Sequence, residues 1–152
     1  MMLRALYGVL LLLSVATASL AEDELLDPEI AFRFSARLVS PDMLEVRYRI
    51  ADGYYMYRDR YRFSLQSDSV GLGEPAFPAG EWHEDEFFGP SEVYRDEVTI
   101  RLPITPAIRS RSTIRLVAVS QGCADAGVCY LPATQVADFE SLGLLGGPGT
   151  EQ

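Results

Sequence analysis

Leu44-Glu45-Val46-Arg47-Tyr48-Arg49-Ile50 alternates apolar and charged residues without a break. In an extended strand this alternation places Leu44, Val46, Tyr48 and Ile50 on one face and the charges on the other, whereas a helix would scatter both sets around its circumference. The flanking sequence repeats the pattern. Ala31 to Leu38 also alternates and ends at a turn, Ser40-Pro41-Asp42. On the other side Ala51-Asp52-Gly53 reads as a tight turn leading into a tyrosine-rich strand from Tyr54 to Leu65. Val93 to Leu102, Thr113 to Ser120 and a shorter Gln135 to Phe139 are further strands. Helix-period stretches are scarce. Six or more short strands punctuated by Gly, Pro and Asp predict an all-β fold of sandwich type. Gly71 to Pro90, with its Gly, Pro, Trp and acidic residues, reads as a long ordered loop, and such loops on rigid scaffolds commonly carry function.

The N-terminus has a different character. One arginine, an apolar run from Ala5 to Val15 and the small residues Ser19 and Ala21 make residues 1–21 a secretory signal peptide, too short to span a bilayer comfortably. Residues 22–142 are then a single domain large enough to build a core, and 143–152, rich in glycine, read as a flexible tail. No lysine occurs. Without Arg4 the exported chain has 12 basic and 22 acidic residues, a formal charge of −10. So acidic a chain, with no basic stripe, is a poor ligand for nucleic acid and is repelled by anionic lipid surfaces. Proteins, small molecules and metals remain as partner classes.

The chemistry rests on Cys123 and Cys129, the only cysteines. An exported chain meets an oxidising compartment, so the two are expected to pair. Gly122 and Gly127 permit the positive φ angles of a tight turn, bringing the Cα atoms to about 5.5–6 Å, the spacing of an unstrained disulfide. The bond has two readings. As a staple, the loop it closes gives only about 2.4 kcal/mol by chain entropy, and a stabilising crosslink would better join distant strands. As a redox centre, its spacing is not that of the C-x-x-C motif. Spacing alone leaves both open. A metal site needs more ligands than the cysteines, His83 and Asp125 supply for zinc, although cuprous ion tolerates fewer. His83 beside Trp82 reads as a loop packing residue. The stretch Trp82-His83-Glu84-Asp85-Glu86-Phe87-Phe88-Gly89 is either a solvated acidic loop with tucked aromatics or a flap over the cysteines, with carboxylates that disfavour a thiolate.

Three segments, Asp52-Gly-Tyr-Tyr-Met-Tyr-Arg58, Trp82 to Asp96 and Gln121-Gly-Cys-Ala-Asp-Ala-Gly-Val-Cys-Tyr-Leu-Pro132, together resemble the N-terminal periplasmic domain of the thiol:disulfide interchange protein DsbD of Gram-negative bacteria. The resemblance runs from about Ile30 to Phe139 and favours redox function over the staple. It implies an immunoglobulin-like β-sandwich that relays reducing equivalents in the periplasm, without a cofactor or a metal. The implied donor is a thioredoxin-like domain supplied through a membrane domain. The implied acceptors are periplasmic disulfide isomerases and the thioredoxin-like protein of cytochrome c maturation. By the same similarity Cys129 is the attacking thiol and Cys123 its resolving partner. Phe87 is the aromatic that caps the pair, Asp85 and Glu86 are the nearby acids, and Tyr55 and Tyr57 line the site. Family members continue into a membrane domain, so this chain is either a stand-alone version, served by a membrane subunit in trans, or a fragment. The rival from another class is a module on the same sandwich that binds a protein or copper, with a structural disulfide.

Overall fold

A computed structural model describes residues 25–109 and 112–141, so the expected signal peptide and tail lie outside the described residues. The deciding stretch forms strand β2, Met43–Ile50. Its four apolar side chains, Leu44, Val46, Tyr48 and Ile50, are all buried. The opposite face is charged, and there Glu45 is covered by Arg37, whose Nε and Nη2 donate to it at 3.0 and 2.6 Å. Strand β1, Phe32–Ser40, pairs antiparallel with β2 and follows a four-residue helix, Pro28–Ala31. Two-residue periodicity did not foresee that helix, because one turn is too short to show a period of 3.6.

Two of the expected strands are interrupted. Tyr54 to Leu65 divides into β3, Tyr54–Tyr57, and β4, Arg62–Gln66, around a 3-10 turn at Arg58–Arg60. All four β3 residues are buried, so this stretch is covered on both faces. Val93 to Leu102 divides at Arg95-Asp96, where Asp96 takes a φ of 59°. Conversely, Gly71 to Pro90 is not one loop. It contains β5, Gly71–Leu72, and β6, Glu81–Asp85, which forms a hairpin with β7, Gly89–Tyr94. The largely exposed β6 ends its sheet, where polar residues suffice and the apolar alternation of a buried strand is missing. Strands β8 (Glu97–Thr105), β9 (Ser112–Ser120), β10 (Gly122–Ala124), β11 (Val128–Cys129) and β12 (Ala133–Ser141) complete the fold.

The strands make three sheets: β1-β2-β8-β5, β12-β9-β4 and β11-β10-β3-β7-β6. The first two pack on one core, in which Val46 and Tyr48 of β2 and Ile100 and Leu102 of β8 join Ile114 and Leu116 of β9 and Phe139 of β12. The Tyr48 hydroxyl reaches across and donates to Gln135 Oε1 at 3.2 Å. This is an all-β, immunoglobulin-like sandwich. The third sheet continues it: β3 leads through the 3-10 turn into β4, and β9 passes through Gln121 into β10. Both cysteines lie in that sheet.

Candidate functional site

The hairpin β10–β11 holds the cysteines. Ala124 O accepts the Gly127 N–H at 3.0 Å, and Gly127 adopts a φ of 83°. The result is a three-residue loop, Asp125-Ala126-Gly127, with glycine in the left-handed position. Cys123 and Cys129 then face each other directly across the two strands and form a disulfide. Tyr130 N–H donates to Gly122 O, so the neighbouring pair is the hydrogen-bonded one and the cysteines are a non-hydrogen-bonded pair. Their Cα atoms are 4.0 Å apart, nearer than the turn alone suggested. Gly122 plays a different part from the one its type suggested. A Cβ there would stand 2.5 Å from the Phe32 ring and 2.6 Å from Tyr55 O, so it permits close packing rather than an unusual φ.

Strand β3 lies beside β10, with Tyr55 opposite Cys123. Tyr57, fully buried, places its hydroxyl 3.2 Å from Cys123 Sγ and 3.8 Å from Cys129 Sγ. That hydroxyl donates to Asp85 Oδ2 at 2.5 Å, and the Tyr55 hydroxyl donates to the same oxygen at 2.9 Å. Asp85 closes strand β6, and its other oxygen accepts the N–H groups of Phe87 and Phe88, both at 2.9 Å. One carboxylate therefore folds the hairpin tip and ties it to both tyrosines. Burial by itself would raise the Asp85 carboxyl, but the donors from Tyr57, Phe88, Tyr55 and Phe87 outweigh it and hold the group below its ordinary range. Tyr57 is driven well above the usual phenol, first by burial and then by the neighbouring Asp85 carboxylate. At neutral pH the pair is thus a carboxylate and a phenol that keeps its proton.

The two cysteines differ in burial: Cys123 is fully buried, whereas Cys129 is half-buried at the edge of a cluster formed with Tyr55, Tyr57, Val93 and Phe88. Phe88 meets the Tyr57 ring edge-on at 4.8 Å, and the Arg60 guanidinium lies over the Phe88 ring, 4.0 Å from its centre. Phe87 stands at the hairpin tip, 41% exposed. Glu86 is exposed beside it and makes no hydrogen bond or ion pair among the described residues. His83 packs on Tyr55 at 4.4 Å, with Nε2 3.8 Å from Asp85 Oδ2. Asp125 forms a bidentate pair with Arg95, whose guanidinium also covers the Tyr55 ring at 5.0 Å and bonds Glu81.

The fold thus gathers Cys123, Cys129, Tyr55, Tyr57 and Asp85 into one network and sets Glu86 and Phe87 on the tip above it. Phe88, Arg60 and Arg95 were not singled out from the sequence. The doublet Phe87-Phe88 was visible, but which ring turns inward depends on the hairpin's twist. Arg60 and Arg95 reach the site from other strands, and no local pattern marks them. Chemically, the site joins a half-buried cysteine to a fully buried one, with a carboxylate linked to the pair through a phenol.

Comparison with known proteins places this geometry among relatives. The family model described as "Thiol:disulfide interchange protein DsbD, N-terminal" matches residues 22–141. A DsbD protein of Neisseria meningitidis serogroup A is 40% identical over 138 residues, covering 91% of this chain and 22% of its own length. The DsbD protein of Escherichia coli K12 is 38% identical over 112 residues, covering 74% of this chain and 19% of its own length. The chain therefore spans about a fifth of the curated relatives it matches. Among solved structures, the reduced N-terminal domain of Neisseria meningitidis DsbD superposes with a TM-score of 0.69 at 42% identity, covering 78% of this chain and 92% of that one. The same organism's DsbD N-terminal domain, in complex with the PilB N-terminal domain, gives 0.65 at 38% identity, with 84% and 93% covered.

Proposed function

From the premise that this chain belongs to the family of N-terminal domains of the thiol:disulfide interchange protein DsbD, we propose that it is a dithiol–disulfide relay working in the periplasm. The observation that carries the reading is the unequal burial of the two cysteines within the tyrosine–aspartate network. Cys129 is the sulfur that an approaching group reaches first, and Cys123 waits behind it, protected from side reactions.

In the reduced chain the Cys129 thiolate attacks one sulfur of a partner's disulfide. A mixed Cys129–partner disulfide forms and the partner's other sulfur leaves as a thiolate. Cys123 then loses its proton and attacks Cys129 Sγ, closing the Cys123–Cys129 bond and releasing the partner's second thiolate. Two electrons and two protons pass to the partner, and the same steps in reverse recharge the chain from a donor dithiol. The partners are thioredoxin-like proteins: a donor domain coupled to a membrane electron-transfer unit, and acceptors among periplasmic disulfide isomerases and cytochrome c maturation proteins. The solved complex of a relative with the PilB N-terminal domain supports docking of a second domain on this fold. Asp85 and Tyr57 hold the free chain back. A fixed negative charge, relayed to the sulfurs by a phenol that retains its proton, opposes thiolate formation until a partner docks. Phe87 and Glu86 on the hairpin tip belong to the cover that such docking displaces.

The test is adduct trapping with an oxidised thioredoxin-like domain. Cys123→Ala should accumulate a mixed disulfide through Cys129, visible as a reductant-sensitive band of summed mass, whereas Cys129→Ala should not. The reverse pattern would assign attack to Cys123 and remove the role given to unequal burial.

A further inference from the structure

The ring of Phe88 has two partners. It meets the ring of Tyr57, whose hydroxyl touches Cys123 Sγ, in a T-shaped contact, and the Arg60 guanidinium lies over it. Arg60 comes from the 3-10 turn between β3 and β4, so the contact joins the hairpin tip to a different part of the chain. The polar contact of Arg60 among the described residues is a loose ion pair with its chain neighbour Asp59. Its Nε is buried without a hydrogen-bond partner among the described residues, and Asp59 Oδ1 is 3.7 Å from that nitrogen. A planar cation that leaves a donor unsatisfied while stacking at 4.0 Å is placed by the ring, which is the geometry of a cation–π contact. The other attachments of the hairpin lie elsewhere: Arg58 pairs with Glu92 and Arg95 with Glu81, both on the strands. At the tip, Asp85 folds the turn and ties it to Tyr55 and Tyr57, and Arg60 is the one cation over the Phe88 ring among the described residues.

We propose that Arg60 is a positioning residue for disulfide exchange. It clamps Phe88 against Tyr57 and so sets how often the hairpin tip uncovers Cys129. The inference deepens the relay function and rests on it. An incoming thiolate must pass the tip to reach Cys129 Sγ, so a weaker clamp exposes the sulfur more often and speeds attack. Charge alone predicts the opposite: removing a cation near the disulfide should slow the approach of an anionic thiolate. The sign of the effect therefore separates the clamp from simple electrostatics.

The measurement is the pseudo-first-order reduction of the oxidised chain by excess dithiothreitol at neutral pH. In that reaction one reductant thiolate forms a mixed disulfide with Cys129 and expels the Cys123 thiolate. The reductant's second thiol then closes its own ring and frees Cys129. Arg60→Gln should be reduced about two- to fivefold faster than the parent, the factor that a partly exposed cation–π contact represents. Arg60→Lys, which keeps the charge but stacks less well, should fall between them. Arg62→Gln should match the parent, because its guanidinium bonds only the backbone carbonyls of Asp59 and Tyr61. An Arg60→Gln rate equal to or below the parent's, or an equal acceleration in Arg62→Gln, overturns the clamp while leaving the relay intact. A parent disulfide that yields only when the chain unfolds removes both.

Discussion

Replacing Asp85 by Asn removes one negative charge from a carboxylate that accepts four hydrogen bonds: from the hydroxyls of Tyr55 and Tyr57 and the N–H groups of Phe87 and Phe88. A bond to a charged acceptor contributes about 1.5–3 kcal/mol and a neutral one about 0.5–1.5, so four bonds lose roughly 1 kcal/mol each. The amide also turns a donor toward two phenols that were donating, while escaping the cost of burying a charge, so a net loss of about 2–3 kcal/mol is expected. For a domain of this size that is a fall in melting temperature of about 6–15 °C. The pH dependence carries the same information with a definite sign. The Asp85 carboxyl is held below its ordinary value in the folded chain. Its stabilisation is therefore complete above the unfolded value of about 3.9 and is lost as pH falls through the lower folded value. Denaturant unfolding of the oxidised chain should show the full gap between parent and Asp85→Asn at neutral pH, narrowing as the pH falls below about 3.9 toward the lower folded value. Glu86→Gln, one residue along but exposed, should stay within about 0.5 kcal/mol of the parent throughout. If the two variants behave alike at neutral pH, or the Asp85→Asn gap persists undiminished in acid, the carboxylate is not the hub of the hairpin.

Two further outcomes test the packing around the disulfide. Gly122→Ala drives a methyl group against the Phe32 ring and Tyr55 O, 2.5 and 2.6 Å away. Because one of these is backbone, relief must come from β3 or β10. A loss of about 1–3 kcal/mol in urea unfolding is expected, and a neutral result would refute the close approach. Phe87→Ala should change stability by less than about 1 kcal/mol, since the ring is 41% exposed, yet speed alkylation of the reduced chain. Unchanged alkylation would leave the cover to Phe88 alone.

Much of this architecture was written in local pattern. The alternation in Leu44–Ile50 buries the residues it should, and the sandwich follows from that repeat. The cysteines, Tyr55, Tyr57 and Asp85 were legible because three motifs in family order name them together, and the structure gathers them. The edge strand β6 was not legible: Glu81-Trp82-His83-Glu84-Asp85 buries no residue fully, and hydrophobic period is a record of burial. The breaks at Arg58–Arg60 and Arg95-Asp96 were equally hidden, since the chain there changes sheets without a proline or glycine to mark it.

The sequence by itself determined that the chain is all-β and that its two cysteines pair, while the tyrosines and the acid around them were named by three motifs that resemble one family. The first two properties depend on residue type and on neighbours a few positions away. Tertiary structure decided the rest: that Cys123 is buried and Cys129 half-buried, that Asp85 and the sulfurs meet at the Tyr57 hydroxyl, and that Phe88 lies under Arg60. The reason is distance along the chain. Asp85 and Arg60 reach the site from strand β6 and the 3-10 turn, at least 38 and 63 residues before the nearer cysteine, and no local rule encodes where separate elements bring their side chains together.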